Sequence, residues 1–147
     1  MRKLDVSSIS DSSQMPVKKG TLQFLQDSYT EITKSVMSSL AGGNNYDPAK
    51  VYVLYGVINS GIYPVYNIVE GAVFYNGEIF QVDAASFTAT GSNVAVCNIV
   101  QTQYTTDADP VTFTDASVRN IHNIRKMGIS QGASGLANKR RIIIYLN

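Results

Sequence analysis

The stretch Gly71-Ala72-Val73-Phe74-Tyr75-Asn76-Gly77-Glu78-Ile79-Phe80-Gln81-Val82 constrains the fold of this chain more than any other. Asn-Gly between two runs of β-branched and aromatic residues is the strongest short-range hairpin signal. A type I′ turn needs positive φ at both central positions, and Asn followed by Gly tolerates it best. With Asn76-Gly77 as the loop, Tyr75 faces Glu78, Phe74 faces Ile79 and Val73 faces Phe80. One face then carries Ala72, Phe74, Ile79 and Gln81; the other carries Val73, Tyr75, Glu78, Phe80 and Val82. A hairpin lying on one core alternates apolar and polar, whereas this one is apolar on both sides. Its second face therefore needs a cover, and in a chain of 147 residues a neighbouring subunit is the expected one.

That length fits one domain plus an arm. Charged residues are sparse and tyrosines number 9, a profile closer to a β-rich surface or assembly protein than to a small cytosolic enzyme. No segment has the apolar length of a transmembrane helix, the N-terminus lacks a signal-peptide core, and no membrane partner is expected. Cys97 is the lone cysteine, so an intrachain disulfide is ruled out, and its apolar run Val94-Ala95-Val96 predicts a buried small hydrophobe.

Charge is segregated. Between Lys50 and Arg119 stand Glu70, Glu78, Asp83, Asp107, Asp109 and Asp115 with no basic residue; from Arg119 onward stand Arg119, Arg125, Lys126, Lys139, Arg140 and Arg141 with no acid. Two readings stand side by side: the blocks steer one copy onto the next, or they meet within one subunit.

Residues 1–20 are polar, Ser-rich and aperiodic, the composition of a flexible arm. Leu4, Val6 and Ile9 are its apolar anchors for docking on a partner. Residues 21–147 form the assembly domain. It opens with a helix over Thr21–Leu40, Gly20-Thr21 offering an N-cap and Gly42-Gly43 a stop. Leu22, Leu25, Tyr29, Ile32 and Val36 recur at spacings of 3, 4, 3 and 4, a heptad seam short for a coiled coil; Phe24 and Met37 widen the stripe. Self-association through this seam competes with packing of an amphipathic helix on its own sheet.

A loop at 42–48 precedes a strand at Val51–Ile58, apolar on both faces. Residues 63–69, with Pro64 suited to a strand start, lead into the hairpin. Further strands are expected at Val94–Gln103, Val111–Thr114 and Arg140–Leu146. Val118, Ile121, His122 and Arg125 fall at helical spacing, with strand an alternative, and Gly128–Gly135 reads as a small-residue loop. The sum is α+β, mostly β: an N-terminal amphipathic, heptad-spaced helix followed by a small antiparallel sheet or sandwich completed by oligomerisation.

No catalytic constellation stands out, and neither an enzyme nor a cofactor is expected. His122 is the sole histidine, no P-loop is present, and glutamates are few. A small hydrolase built on His122 or the aspartates is the remotest reading. Asp107, Asp109 and Asp115 read as an acidic turn ahead of a calcium site, since the Gly and terminal Glu of a calcium loop are missing; no metal is expected. Arg119, Arg125, Lys126 and Lys139-Arg140-Arg141 lack the interleaved aromatics of a stacking platform, which argues against nucleic acid.

The helix Thr21-Leu22-Gln23-Phe24-Leu25-Gln26-Asp27-Ser28-Tyr29, the hairpin Glu70-Gly71-Ala72-Val73-Phe74-Tyr75-Asn76-Gly77-Glu78-Ile79-Phe80 and the basic segment Ser117-Val118-Arg119-Asn120-Ile121-His122-Asn123-Ile124-Arg125 follow in that order. Over residues 20–126 the chain thus resembles small fibre, collar or baseplate structural proteins of tailed bacteriophages of Bacteroidetes, including crAss-like phages. The resemblance implies a virion component, commonly a homotrimer, that contacts other virion proteins as an adaptor or short projection of the tail, fibre or head surface. It carries no site residue with it. The alternative is a carbohydrate- or receptor-binding module in which surface tyrosines such as Tyr63 and Tyr66 stack on sugars.

Overall fold

In the computed structural model the described residues are Ser7, 17–41, 43, 46–103 and 110–133, with backbone alone for Gln103 and 142–145. Helix α1 spans Lys19–Leu40, and strands follow at β1 Val51–Gly56, β2 Val65–Ile68, β3 Gly71–Tyr75, β4 Glu78–Val82, β5 Ala85–Thr88, β6 Asn93–Gln103, β7 Pro110–Thr112, β8 Val118–Asn120, β9 Asn123–Ala133 and β10 Ile142–Tyr145. The chain is α+β and mostly β. Leu4, Val6 and Ile9 lie outside the described residues, as do Asp107, Asp109 and Lys139-Arg140-Arg141.

Six strands form one sheet in the order β10-β1-β3-β4-β9-β6. The β1/β3, β3/β4 and β6/β9 pairs are antiparallel, and β1/β10 and β4/β9 are parallel. The outer strands β10 and β6 approach within 8 Å between Cα atoms, so the sheet curls toward closure. Two antiparallel ribbons, β2/β5 and β7/β8, stand apart from it.

The hairpin is paired as its sequence predicts: Tyr75 with Glu78, Phe74 with Ile79 and Val73 with Phe80, with Asn76 at φ 46° and Gly77 at φ 94°. All five residues of β3 are buried. On one face Val73, Tyr75, Phe80 and Val82 join Val51, Val53, Cys97 and Met127 in the main core; on the other, Phe74 joins Tyr52 and Met37 in a second core.

Both covers come from this chain, which corrects the expected neighbouring subunit. The main core is capped by the β2/β5 ribbon, whose Tyr66 and Phe87 pack against it with ring centroids 5.2 Å apart. The second core is capped by the C-terminal half of α1 and by Tyr46. Strand β5 carries one large apolar residue in four, too little for a strand signal, and its role as cover follows from pairing with β2.

Other boundaries move for local reasons. The helix begins at Lys19 with Lys18 at the cap position and no side-chain cap bond, so the Gly20-Thr21 start falls within its first turn. Strand β1 stops at Gly56 rather than Ile58. There Gly56 pairs with Gly71 so closely that a Cβ on Gly56 would lie 2.1 Å from the Glu70 carbonyl oxygen. Gly56 and Val57 both take positive φ, which turns the chain while Val57 stays in the core.

The segment 123–133 is one long strand, so neither the helical reading around Arg125 nor the loop from Gly128 holds. Gly128 lies across from Asn98, where a Cβ would meet Val100 Cγ2 at 2.9 Å. Close interstrand packing, not a turn, explains that glycine.

Candidate assembly surface

Helix α1 lies against its sheet by a face other than the predicted seam. Met37, 6% exposed, packs on Tyr52 and Phe74, and Phe24, Asp27 and Glu31 are partly covered on the same side. Midway along, the hairpin turn abuts the helix so tightly that a Cβ on Gly77 would lie 2.9 Å from Thr30 Cγ2. Gly77 is thus demanded by both its φ and its neighbour. Of the two residues that widened the stripe in the sequence, Met37 makes the contact with the sheet and Phe24 is half-buried.

The heptad positions face away. Leu22, Leu25, Tyr29, Ile32, Val36 and also Leu40 are all exposed, Tyr29 by 73%. At 3.6 residues per turn they share one side of the helix, roughly opposite the sheet. Beside them, Ser28, Thr30, Thr33 and Ser35 hydroxyls donate to the carbonyl oxygens of Phe24, Gln26, Tyr29 and Glu31 at 2.7–3.2 Å. Those hydroxyls are satisfied within the helix. Thr21, Gln26, Ser28, Thr33 and Ser35 flank the seam, so it is bordered by uncharged residues.

A second apolar group stands on the β1–β2 connection and at the two ends of β2, where Ile58, Ile62, Tyr63, Val65 and Val69 are exposed. The loop is held in shape by Asn59, whose Oδ1 accepts from the Gly61 and Asn67 amides at 3.0 and 2.9 Å. Tyr63 donates its hydroxyl to the Gly91 carbonyl at 2.9 Å. The Tyr63 and Tyr66 rings meet edge-on at 87°, and Tyr66 is stacked on Phe87. The two tyrosines therefore offer no common flat platform to a sugar.

Among the described residues the charge blocks meet within the subunit. Arg125 pairs with Glu78 and lies 5.5 Å from the centroid of the Phe80 ring; Lys126 pairs with Asp83 at 2.8 Å and Arg119 with Asp115 at 2.9 Å. The Ser117 hydroxyl and amide, both donating to Asp115, hold its carboxyl below the usual carboxylate range. This network and the turn it closes account for Asp115. Among the described residues no group of three His, Cys, Asp or Glu could hold a metal ion.

Cys97 is buried in the main core, where desolvation pushes its thiol up to about 12. Tyr46 carries a buried hydroxyl with no hydrogen-bond partner among the described residues; burial first, then Tyr52 and Asp47, raise its pKa. Exposed His122 sits between β8 and β9 beside Ile121 and Asn123. No helix among the described residues is long and apolar enough to cross a membrane.

A cleft of about 720 Å³, which no local motif announces, lies between the N-terminal half of α1 and the β4–β9–β6 part of the sheet. Its walls come from residues scattered over 23–125, which only the fold brings together.

No family model matches the chain, and no curated protein matches it. Among solved structures it is similar to the C24 protein from the Antarctic microorganism Bizionia argentinensis, with 19% identity and a TM-score of 0.44. The match covers 85% of this chain and 36% of that one, so the chain spans about a third of that protein's length. At this level the likeness bears on neither family nor function.

Proposed function

We propose that this chain is an oligomeric structural protein of a tailed-bacteriophage virion, an adaptor or short projection rather than an enzyme. The observation that carries the oligomer is the apolar heptad seam of α1, turned away from the sheet that the same helix covers. Apolar side chains in register along one helix face gain most by burying against a copy of themselves. The virion assignment rests on the resemblance of the helix, hairpin and basic segment to phage fibre, collar and baseplate proteins. Leu4, Val6 and Ile9 are the anchors by which the N-terminal arm would dock on another virion protein.

A trimer is the favoured state. Leu22 at an a position and Ile32 at a d position fit higher-order packing, while Val36 at a with Leu25 at d fits a dimer as well. Light scattering coupled to size exclusion on the full chain decides between them. The expected result is a trimer mass, reduced to a monomer in the Ile32→Asp/Val36→Asp protein. A native mass retained in that variant overturns the seam, and a wild-type monomer overturns self-assembly of the isolated chain. The tyrosine-based sugar-binding reading loses ground to the edge-on geometry of Tyr63 and Tyr66.

A further inference from the structure

We propose that the Val118 face of the β7/β8 ribbon packs on a neighbouring copy of this chain, a second contact that rests on the oligomer already proposed. The ribbon is a folded segment without a core. Pro110–Thr112 pairs with Val118–Asn120, no further strand joins them, and every residue of both strands is exposed. The β2/β5 ribbon gives the contrast within the same molecule. Alternate residues are covered there, because Tyr66 and Phe87 sit on the main core. A two-stranded ribbon alone in water is at best marginally stable. The β7/β8 ribbon therefore needs a cover, and none of the described residues supplies it.

The pairing tells which face is bare. Val111 stands opposite Arg119, and Phe113 follows on the same side. Arg119, bonded to Asp115 at 2.9 Å, holds its guanidinium 4.7 Å from the centroid of the Phe113 ring. That face is thus shielded by the ribbon's own side chains. On the other face Thr112 stands opposite Val118, and Val118 is 65% exposed against 39% for Phe113. Val118 is the apolar residue left for a partner.

Position and charge choose the occupant. Ile121, just after β8, is exposed and looks across the cleft at Gln23, Gln26 and Thr30 of α1. Gln26 borders the heptad seam, so a copy seated on the seam comes up beside the ribbon. The charges of the ribbon are Asp115 and Arg119, and they cancel. Such a surface attracts neither phosphates nor a charged peptide, and it does not repel a copy of itself. Apolar contact with little net charge is the character of interfaces between identical chains. The ribbon also needs its cover whenever the chain is folded, and the partner that always accompanies the chain is the chain itself.

The test is amide hydrogen exchange over residues 110–120, read by mass spectrometry on the full chain. It is measured at concentrations where light scattering gives the assembled mass, and again after dilution to monomer. The expected result is protection in the assembly that falls about tenfold or more on dissociation. Val118→Asp, which puts a carboxylate into an apolar contact, should raise the dissociation constant about tenfold or more and leave the circular dichroism of the monomer unchanged. Exchange that is equal in the two states overturns the proposal while leaving the seam intact: slow in both means that the chain covers its own ribbon, and fast in both means that a copy does not. An assembly indifferent to Val118→Asp overturns it as well. A wild-type monomer at every concentration overturns the ribbon contact together with self-assembly. The mass of the Ile32→Asp/Val36→Asp protein reports the seam separately, so either surface can fail without the other.

Discussion

The β3–β4 hairpin and helix α1 present the same anomaly in sequence and resolve it differently. Both carry more apolar surface than one core needs. In the hairpin the excess, apart from half-exposed Ile79, is consumed within the chain: Phe74 disappears under Met37 and Tyr46, and Val73 and Phe80 under the curl of the sheet and the β2/β5 ribbon. In the helix the excess stays outside, because Met37 takes the sheet-facing position and the heptad residues are left in solvent. A doubly apolar pattern therefore signals that a cover exists, but where the cover comes from depends on which later segments fold back.

Breaking the hairpin side of this contrast has the largest expected effect. Phe74→Ala empties a site with 0% exposure between two covered layers, and should cost about 3–5 kcal/mol in chemical denaturation. A loss below about 1 kcal/mol would mean that the second core is not tightly packed. Gly56→Ala comes next. A Cβ there meets the Glu70 carbonyl at 2.1 Å and must also hold φ at +63°, so a loss of about 2 kcal/mol or more is expected, the left-handed conformation alone contributing about 1–2. A near-neutral result would show that β1 and β3 can separate at that end.

Cys97 sharpens the same side through pH. The folded thiol stays protonated until about 12, whereas an unfolded thiol ionises from 9.0, so the unfolded state releases its proton first and gains as pH rises. Stability should therefore fall between pH 9 and 12, by at most about 1.4 kcal/mol per unit from this group, and the fall should be smaller in Cys97→Ala, where the raised Tyr46 phenol still contributes. The helix side should show the smallest thermodynamic effect of all. At protein concentrations where the wild type is dissociated, Ile32→Asp/Val36→Asp should unfold within about 0.5 kcal/mol of wild type, as exposed substitutions do. A loss like that of Phe74→Ala would place those residues in the subunit's own core and erase the contrast.

Local chemistry was legible where a few adjacent residues decide the outcome. Asn76-Gly77 specifies both the turn and the register of five pairs, and Gly42-Gly43 marks the helix end. The helix seam could be read from its spacing, although not the side on which it would lie. Elements that depend on distant partners were not legible. Strand β9 reads as helix or loop because Gly128 and Gly132 answer to Val100 and Val94 across the ladder, a relation absent from local sequence. Strand β5 has only Phe87 to announce it. The cleft is further still from local sequence, since its walls come from α1, β4, β6 and β9 and carry no spacing of their own.

The pairing of β10 with β1 sets the order in which the molecule can be completed. Val51 pairs with Ile142, which lies 91 residues later, and β4 likewise waits for β9 at Gln81↔Lys126. Pairings between strands so far apart in the chain close slowly. During synthesis the helix and the central hairpin leave the ribosome with neither flank of their sheet in place, and β1 keeps an open edge until β10 is made. The apolar faces of β1 and the hairpin thus stay uncovered until the later strands form, which puts the main hazard of misassembly in the nascent chain rather than in the folded protein.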